Sequence, residues 1–292
     1  MKKTLLMICA VALSKLCFSQ VPTAGLIAQW EFTGNLNDGV GTNNGTWHGT
    51  GPVNYVQDRC GIPNRAIHFN GTTDFIQMNT AGVSGSGAKS LSFWMKTNNT
   101  TAGGPTIVRA MFNDGTYSSF ATGTRWEVNH NYMCTGLGVD ISSQFITRSS
   151  ACIDDNTWHH VVATQAANQP LSTVSIYLDG NLLNTFNCSS TPSTGANATQ
   201  AQAITIGALI LGVLPSPAGR FFKGDLDDFY YYNVMLSPTQ VAQLFYDKCT
   251  PINSTCGPIP PPPPGPCCLG NACGAGPGAN PLSSPWEIPL AG

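Results

Sequence analysis

Apolar and polar residues alternate with a period of two through most of residues 22–249. In SLSFWMKT, Leu91, Phe93 and Met95 share one face, and in VSIYLDG, Val174, Ile176 and Leu178 do. Successive side chains of a strand point to opposite faces, so the pattern predicts half-buried β-strands. Asp179-Gly180, between VSIYL and NLLNTF, predicts a tight hairpin because both residues tolerate positive φ. Turn signals recur without a long helical period, which predicts a β-sandwich rather than an α/β fold. One short helix is expected: Ser237 caps it, Pro238 suits its first position, and Gln240 completes a capping box ahead of VAQLF. A segment of roughly 230 residues is long enough to bury a single full-sized core.

The two ends of the chain read differently. MKK, the apolar TLLMICAVAL and then Cys17-Phe18-Ser19 predict a secretory leader over residues 1–19, with the mature chain starting at Gln20. The apolar run falls short of the ~20 residues a membrane-spanning helix requires. A lipoprotein anchor through Cys17 is disfavoured, since Leu16 stands where a small residue is wanted. Residues 250–285 are rich in proline, glycine and cysteine and predict an extended linker that buries no core. Residues 286–292, WEIPLAG, are apolar again and read as the start of a further segment or as a docking tail.

Charge narrows the partners. Only 10% of the residues are charged, the net charge is −2, and the 13 lysines and arginines form no cluster. Counterion-release binding to nucleic acid is therefore not expected, nor is an anionic membrane partner. Of 11 cysteines, Cys9 and Cys17 fall in the leader, and in an oxidising compartment the rest read as disulfide-forming. Cys134 and Cys152 flank an expected hairpin, GLGVDISSQFITRSSA, and closing a loop of that length contributes ~3 kcal/mol. Cys60, Cys188, Cys249 and Cys256 supply two further bridges whose pairing stays open. Zinc at Cys267, Cys268 and Cys273 is disfavoured, because no second spaced cysteine pair accompanies them.

Six phrases carry a family resemblance: IAQWEFTGNLNDGVGTNNGTWHG, IHFNGTTDFIQM, SLSFWMKT, TWHHVVAT, VSIYLDGNLLNTF and GDLDDFYYYNVMLSPTQVAQLF. In this order they resemble the laminin-G-like, concanavalin A-like jelly-roll family, across roughly residues 22–249. The resemblance implies an all-β sandwich of two antiparallel sheets and a carbohydrate-binding or adhesive role. It places Trp30, Trp94 and Trp158 in or behind the sheets, and makes His159 and His160 structural. It also implies a calcium ion between the opening loop and the last strand, with Asp38, Asn43, Asp227 and Asp228 at the matching positions. Val40 and Thr42 interrupt the family's Asp-x-Ser-Gly-Asn-Gly loop. The competing reading makes these residues turn caps, with consecutive aspartates on opposite faces of their strand.

A sugar site needs an aromatic platform beside groups that satisfy hydroxyls. Trp126, Asn129, His130 and Tyr132 on one strand qualify, with Asp114 and Tyr117 just before it. Glu127 is the glutamate placed to face a groove, as a ligand contact rather than a catalyst; Trp126 alternatively fills the sandwich. The family's glycosidases carry a Glu-x-Asp-x-x-Glu cluster, which is absent here, so the chain is expected not to be an enzyme. The reading is an exported, lectin-like binding or adhesion module, secreted or at the cell surface, with carbohydrate or a surface protein as partner. A structural assembly module and a glycosidase with an atypical carboxylate pair are the alternatives. Limited proteolysis, followed by mass spectrometry, is expected to remove residues 250–285 and leave a resistant core ending near Lys248 or Cys249.

Overall fold

The computed structural model describes residues 21–98, 108–115, 127–131, 136–141, 145–148, 153–169, 173–184, 186–187, 201–208 and 221–247. The expected leader, linker and terminal segment, together with Tyr117, Trp126, Tyr132, Cys134 and Cys152, lie outside them. Among the described residues there are sixteen strands and one helix, and the strands form two antiparallel sheets of eight.

Sheet A holds β1 (Leu26–Trp30), β3 (Tyr55–Val56), β4 (Ala66–Asn70), β6 (Lys89–Lys96), β11 (Trp158–Gln165), β12 (Ser175–Leu178), β13 (Asn181–Leu182) and β16 (Lys223–Tyr232). Its order is β13-β12-β11-β6-β16-β4-β3, with β1 paired to the remaining edge of β16. Sheet B runs β14-β10-β9-β8-β7-β15-β5-β2. Its strands are β2 (Gly45–His48), β5 (Phe75–Ala81), β7 (Val108–Gly115), β8 (Glu127–Asn131), β9 (Gly136–Ile141), β10 (Phe145–Arg148), β14 (Phe186–Asn187) and β15 (Ala201–Ile206). The main core lies between the sheets. Leu91, Phe93 and Met95 enter it from β6, and Val174, Ile176 and Leu178 from β12 and the residue before it, as the alternation predicts.

Asp179 and Gly180 turn the β12–β13 hairpin with φ of 50° and 77°. β9 and β10 form the expected hairpin. The helix α1 (Pro238–Phe245) starts with the expected capping box: Ser237 Oγ accepts from Gln240 N, and Gln240 Oε1 accepts from Ser237 N.

The half-buried expectation fails for the middle of sheet A. Strands β6, β11 and β16 are buried on both faces, because α1 and the segment leading into it cover the outward side. A second apolar cluster forms there from Val162, Tyr177, Tyr230, Tyr232, Val241 and Leu244 with their neighbours. Sequence alternation reports polarity, and the small polar residues of β6 are buried for another reason. Leu236 N donates to Ser90 Oγ and Thr164 Oγ1, while Ser90 Oγ donates to the Val234 carbonyl, tying that segment to the sheet.

The two adjacent histidines of β11 have opposite surroundings. His159 bonds Asp179 through Nδ1 at 2.8 Å and lies 3.1 Å from Thr157 Oγ1 and 3.2 Å from Asp155 through Nε2. Burial would lower its pKa, but the hydrogen bond and charge of Asp179, with Asp155, hold it above the ordinary value. His160 is fully buried against Trp94 and Phe245, with Nε2 2.8 Å from Ser92 Oγ. Burial first, then the charge of Arg59, pushes its pKa down to about 3.

Between pH ~6.5 and this value the unfolded chain holds a proton that folded His160 does not, so its contribution to stability falls as pH falls through that window. His159 acts in the opposite sense, its stabilisation being complete below the unfolded value and lost as pH rises past it. Replacing His160 by Gln removes only the first effect. Urea unfolding of His160→Gln against the unmodified protein is expected to show the variant gaining, in relative terms, about 1.4 kcal/mol per pH unit on acidification below pH ~6.

Candidate functional site

The pairing register of sheet B sorts its residues into rows. One row runs Trp47, Ile76, Ile206, Phe112, Val128, Val139 across β2, β5, β15, β7, β8 and β9. All six pack into the core between the sheets. The adjoining row on the same strands is Thr46, Gln77, Thr205, Asn113, Glu127, Asp140. It is polar throughout by residue type, and it alternates in register with the core row. Thr46 is exposed and Gln77 half-buried; Thr205 is buried, its hydroxyl donating to the Ala208 carbonyl. Residues bearing hydroxyl, amide and carboxylate groups thus share one register row across six strands.

Of the expected ligand residues, Glu127 takes a place in this row. Asn129 and His130 follow on β8, opposite Ala110 and Arg109, and Asp114 follows Asn113 on β7. Thr46, Gln77, Asn113, Asp140 and Thr205 were not singled out from sequence. They are scattered over the chain, and only strand register makes them neighbours.

The four calcium-position residues divide into separate arrangements. In the opening loop, Asp38 Oδ1 accepts from the main-chain N–H of Gln29 and Val40 at 3.0 Å, and Oδ2 accepts from Asn43 N at 3.2 Å. Trp30 Nε1 donates to the Asn43 carbonyl at 2.8 Å, so the loop is clamped onto β1. Asp227 and Asp228 instead face Arg59, in the connection between β3 and β4. The Arg59 Nη1 bonds Asp228 Oδ2 and lies 3.7 Å from Asp227 Oδ2. Its Nη2 donates to the Asp247 carbonyl at 2.9 Å, and the guanidinium sits 4.4 Å from the Trp94 ring centroid.

Both aspartates reach one arginine because β16 bulges. Its register against β6 shifts between Asp227 and Tyr230, and Asp228 takes a φ of 47°. The expectation that consecutive aspartates face opposite sides is corrected by this bulge, which rephases the strand. Leu226 faces the core before it, and Phe229 and Tyr231 do so after it.

The Arg59 cluster opens into a cleft of about 320 Å³ lined also by Glu31, Asp58 and Arg65. Asp58 caps a turn there, accepting from Cys60 N and Ile62 N, and Cys60 is disulfide-bonded. Burial, then the charge of Asp228, pushes the Asp227 carboxyl well above the usual carboxylate range, against the pull of Arg59.

As a set, these residues do not fit a single calcium ion. Asp38, Asp227 and Asp228 do not gather into one cluster, nor does any other group of three His, Cys, Asp or Glu suited to a metal among the described residues. What Asp38 does in this geometry is hold main-chain donors. Asp38→Ala is expected to destabilise the protein by about 1–3 kcal/mol through N–H groups left without an acceptor. Urea unfolding with calcium and with a chelator is expected to give the same loss in both.

Comparison with known proteins follows from this architecture. Domain 4 of AbnA, a GH43 extracellular arabinanase from Geobacillus stearothermophilus, solved with arabinotriose, is similar at a TM-score of 0.53 and 23% identity, covering 76% of this chain and 98% of that one. Trypanosoma rangeli sialidase in complex with sialic acid is similar at a TM-score of 0.51 and 16% identity over 77% of this chain. The match spans 33% of the sialidase chain. A comparison with curated proteins gave no match. These likenesses are of fold, and they correct the expectation that the chain is not an enzyme. The same fold sits within chains of glycoside hydrolases, so a missing Glu-x-Asp-x-x-Glu cluster does not exclude catalysis. The family model for the concanavalin A-like lectin/glucanases superfamily matches residues 70–242, more than half of the chain, and with two antiparallel sheets enclosing one core the chain belongs to that superfamily.

Proposed function

We propose that the protein is an exported, lectin-like module that binds a carbohydrate chain across the outward face of sheet B. The observation that supports this most is the polar row from Thr46 to Asp140, which offers hydrogen-bonding groups at the spacing of adjacent strands. Sugar hydroxyls need such groups in a line, together with an aromatic surface for the apolar face of a ring. Trp126, Tyr132 and Tyr117, next to β8 and β7 in sequence, are the aromatic residues assigned to that role, with Asp114, Asn129 and His130 beside the row.

Membership of a superfamily of lectins and glucanases supports the ligand class. The arabinotriose complex of the similar arabinanase domain makes arabino-oligosaccharides the first ligands to try. Export is supported by the leader expected from sequence over residues 1–19; no helix among the described residues is long and apolar enough to cross a membrane.

A glycan array probed with the full chain, followed by calorimetry on the best ligand, is the test. Gln77→Ala, Glu127→Ala and Trp126→Ala are each expected to weaken binding by about tenfold or more, or ~1.4 kcal/mol, without lowering the melting temperature. Absence of glycan binding, or binding indifferent to all three substitutions, would overturn the reading.

A further inference from the structure

The middle of the outward face of sheet A is covered by α1 and the segment leading into it. The row His160, Trp94, Asp227 lies under Phe245 and Arg59. One pleat further on, the register lines up Trp158, Lys96, Asp225 and His68 across β11, β6, β16 and β4. Phe245 of α1 packs on Trp94 and His160 of the first row. Side-chain exposure is 37% for His68, 31% for Lys96 and 14% for Asp225, so the row is open to solvent. Trp158, expected behind the sheet with Trp30 and Trp94, is half-buried while those two are buried.

The contacts along the row are specific. Asp225 Oδ1 bonds His68 Nδ1 at 2.6 Å, Asp225 Oδ2 is 3.5 Å from Lys96 Nζ, and Lys96 Nζ is 5.9 Å from the Trp158 ring centroid. Lys223, two residues before Asp225 and therefore on the same face of β16, is exposed. The hydrogen bond to Asp225, with that carboxylate's charge, holds the His68 pKa above its ordinary value, against burial; Asp74 adds to the rise and Lys223 opposes it.

A surface ion-pair network contributes little to stability. Among the described residues, Lys96 and His68 contact the carboxylate of Asp225, and Lys223 lies on the same face of the strand. Asp74, whose charge also reaches His68, is turned to Asn70, accepting from its main-chain and side-chain nitrogens at 3.1 and 2.9 Å. In a chain with only 10% charged residues, this is an excess of positive charge beside an accessible indole. Four adjacent strands give the row a length of about 14 Å, enough for a short oligosaccharide.

The geometry points to a second binding site on the outward face of sheet A, in which Trp158 stacks on a sugar ring while Lys96, Lys223 and His68 receive the carboxylate of a uronate-containing saccharide. The site is separate from the face of sheet B proposed above, and it stands or falls independently of it. Lys96 supplies a point charge, and Trp158 supplies the flat apolar surface that a sugar's C–H face requires.

Calorimetry with oligogalacturonate and with its fully methyl-esterified form, on the full chain, tests the assignment. The acid is expected to bind, the ester about tenfold or more weaker, and the affinity for the acid to fall as salt is raised from about 50 to about 500 mM. Lys96→Met keeps the alkyl stem against Trp158 and removes the charge; it and His68→Gln are each expected to cost about fivefold or more with an unchanged melting temperature. Trp158→Leu is expected to weaken acid and ester alike. No binding of the acid, equal binding of the ester, or an unaffected Lys96→Met variant would overturn the site. A neutral glycan identified on the array is expected not to compete; full competition would place the acid on sheet B and overturn the separate site.

Discussion

Strand β16 is hydrogen-bonded along one edge to β6 and along the other first to β4 and then to β1, while its two faces are covered by the core and by α1. Polar groups on a strand enclosed in this way are costly to leave unpaired, at about 1–3 kcal/mol for each buried donor or acceptor. Lys223–Tyr232 pairs its two buried aspartates by changing phase, although the Tyr232 hydroxyl is buried with no hydrogen-bond partner among the described residues. The bulge at Asp227 and Asp228 lets Leu226, Phe229 and Tyr231 all face the core, and leaves Tyr230 and Tyr232 for the helix side. The same bulge collects two carboxylates at one point.

Arg59 answers those carboxylates. Its guanidinium reaches Asp228 and Asp227, the Asp247 carbonyl just beyond α1, and the face of Trp94, so one side chain joins the β3–β4 connection, the last strand and the exit of the helix. Such a buried group gains little over an apolar replacement, but losing one partner strands a charge in low dielectric. The arrangement therefore specifies where the helix sits more than it adds to stability. With α1 fixed over the middle of sheet A, the margin from Trp158 to His68 is left partly open.

The two sheets thus differ in what they present outward. Sheet A spends most of its outward face on a second apolar layer, whereas sheet B carries an unbroken polar row beside its core row. A neutral surface rich in hydroxyl and amide groups suits a ligand recognised by hydrogen bonds, and the charge the chain does carry is concentrated in a few built clusters.

Local chemistry determined the elements that were legible in the sequence. The Asp179-Gly180 hairpin, the Ser237 capping box, the core face of β6 and the sandwich class each depend on residues within one turn or one strand of each other. What only the tertiary structure decided depends on register between segments far apart. Alternation in SLSFWMKT marked one apolar face, but burial of the other awaited a helix some 140 residues later. Asp227 and Asp228 read as strand residues on opposite faces until a bulge set both against Arg59, 168 and 169 positions away, an arginine that no local pattern distinguishes. Glu127 was recognisable as a polar residue on a strand; its alignment with Asn113 and Asp140 was not, because a shift of one residue in pairing would send every side chain to the other face. Sequence by itself determines which segments become strands and turns, since those preferences are local. The surface they jointly present is decided when the strands pair, since pairing chooses which distant residues become neighbours.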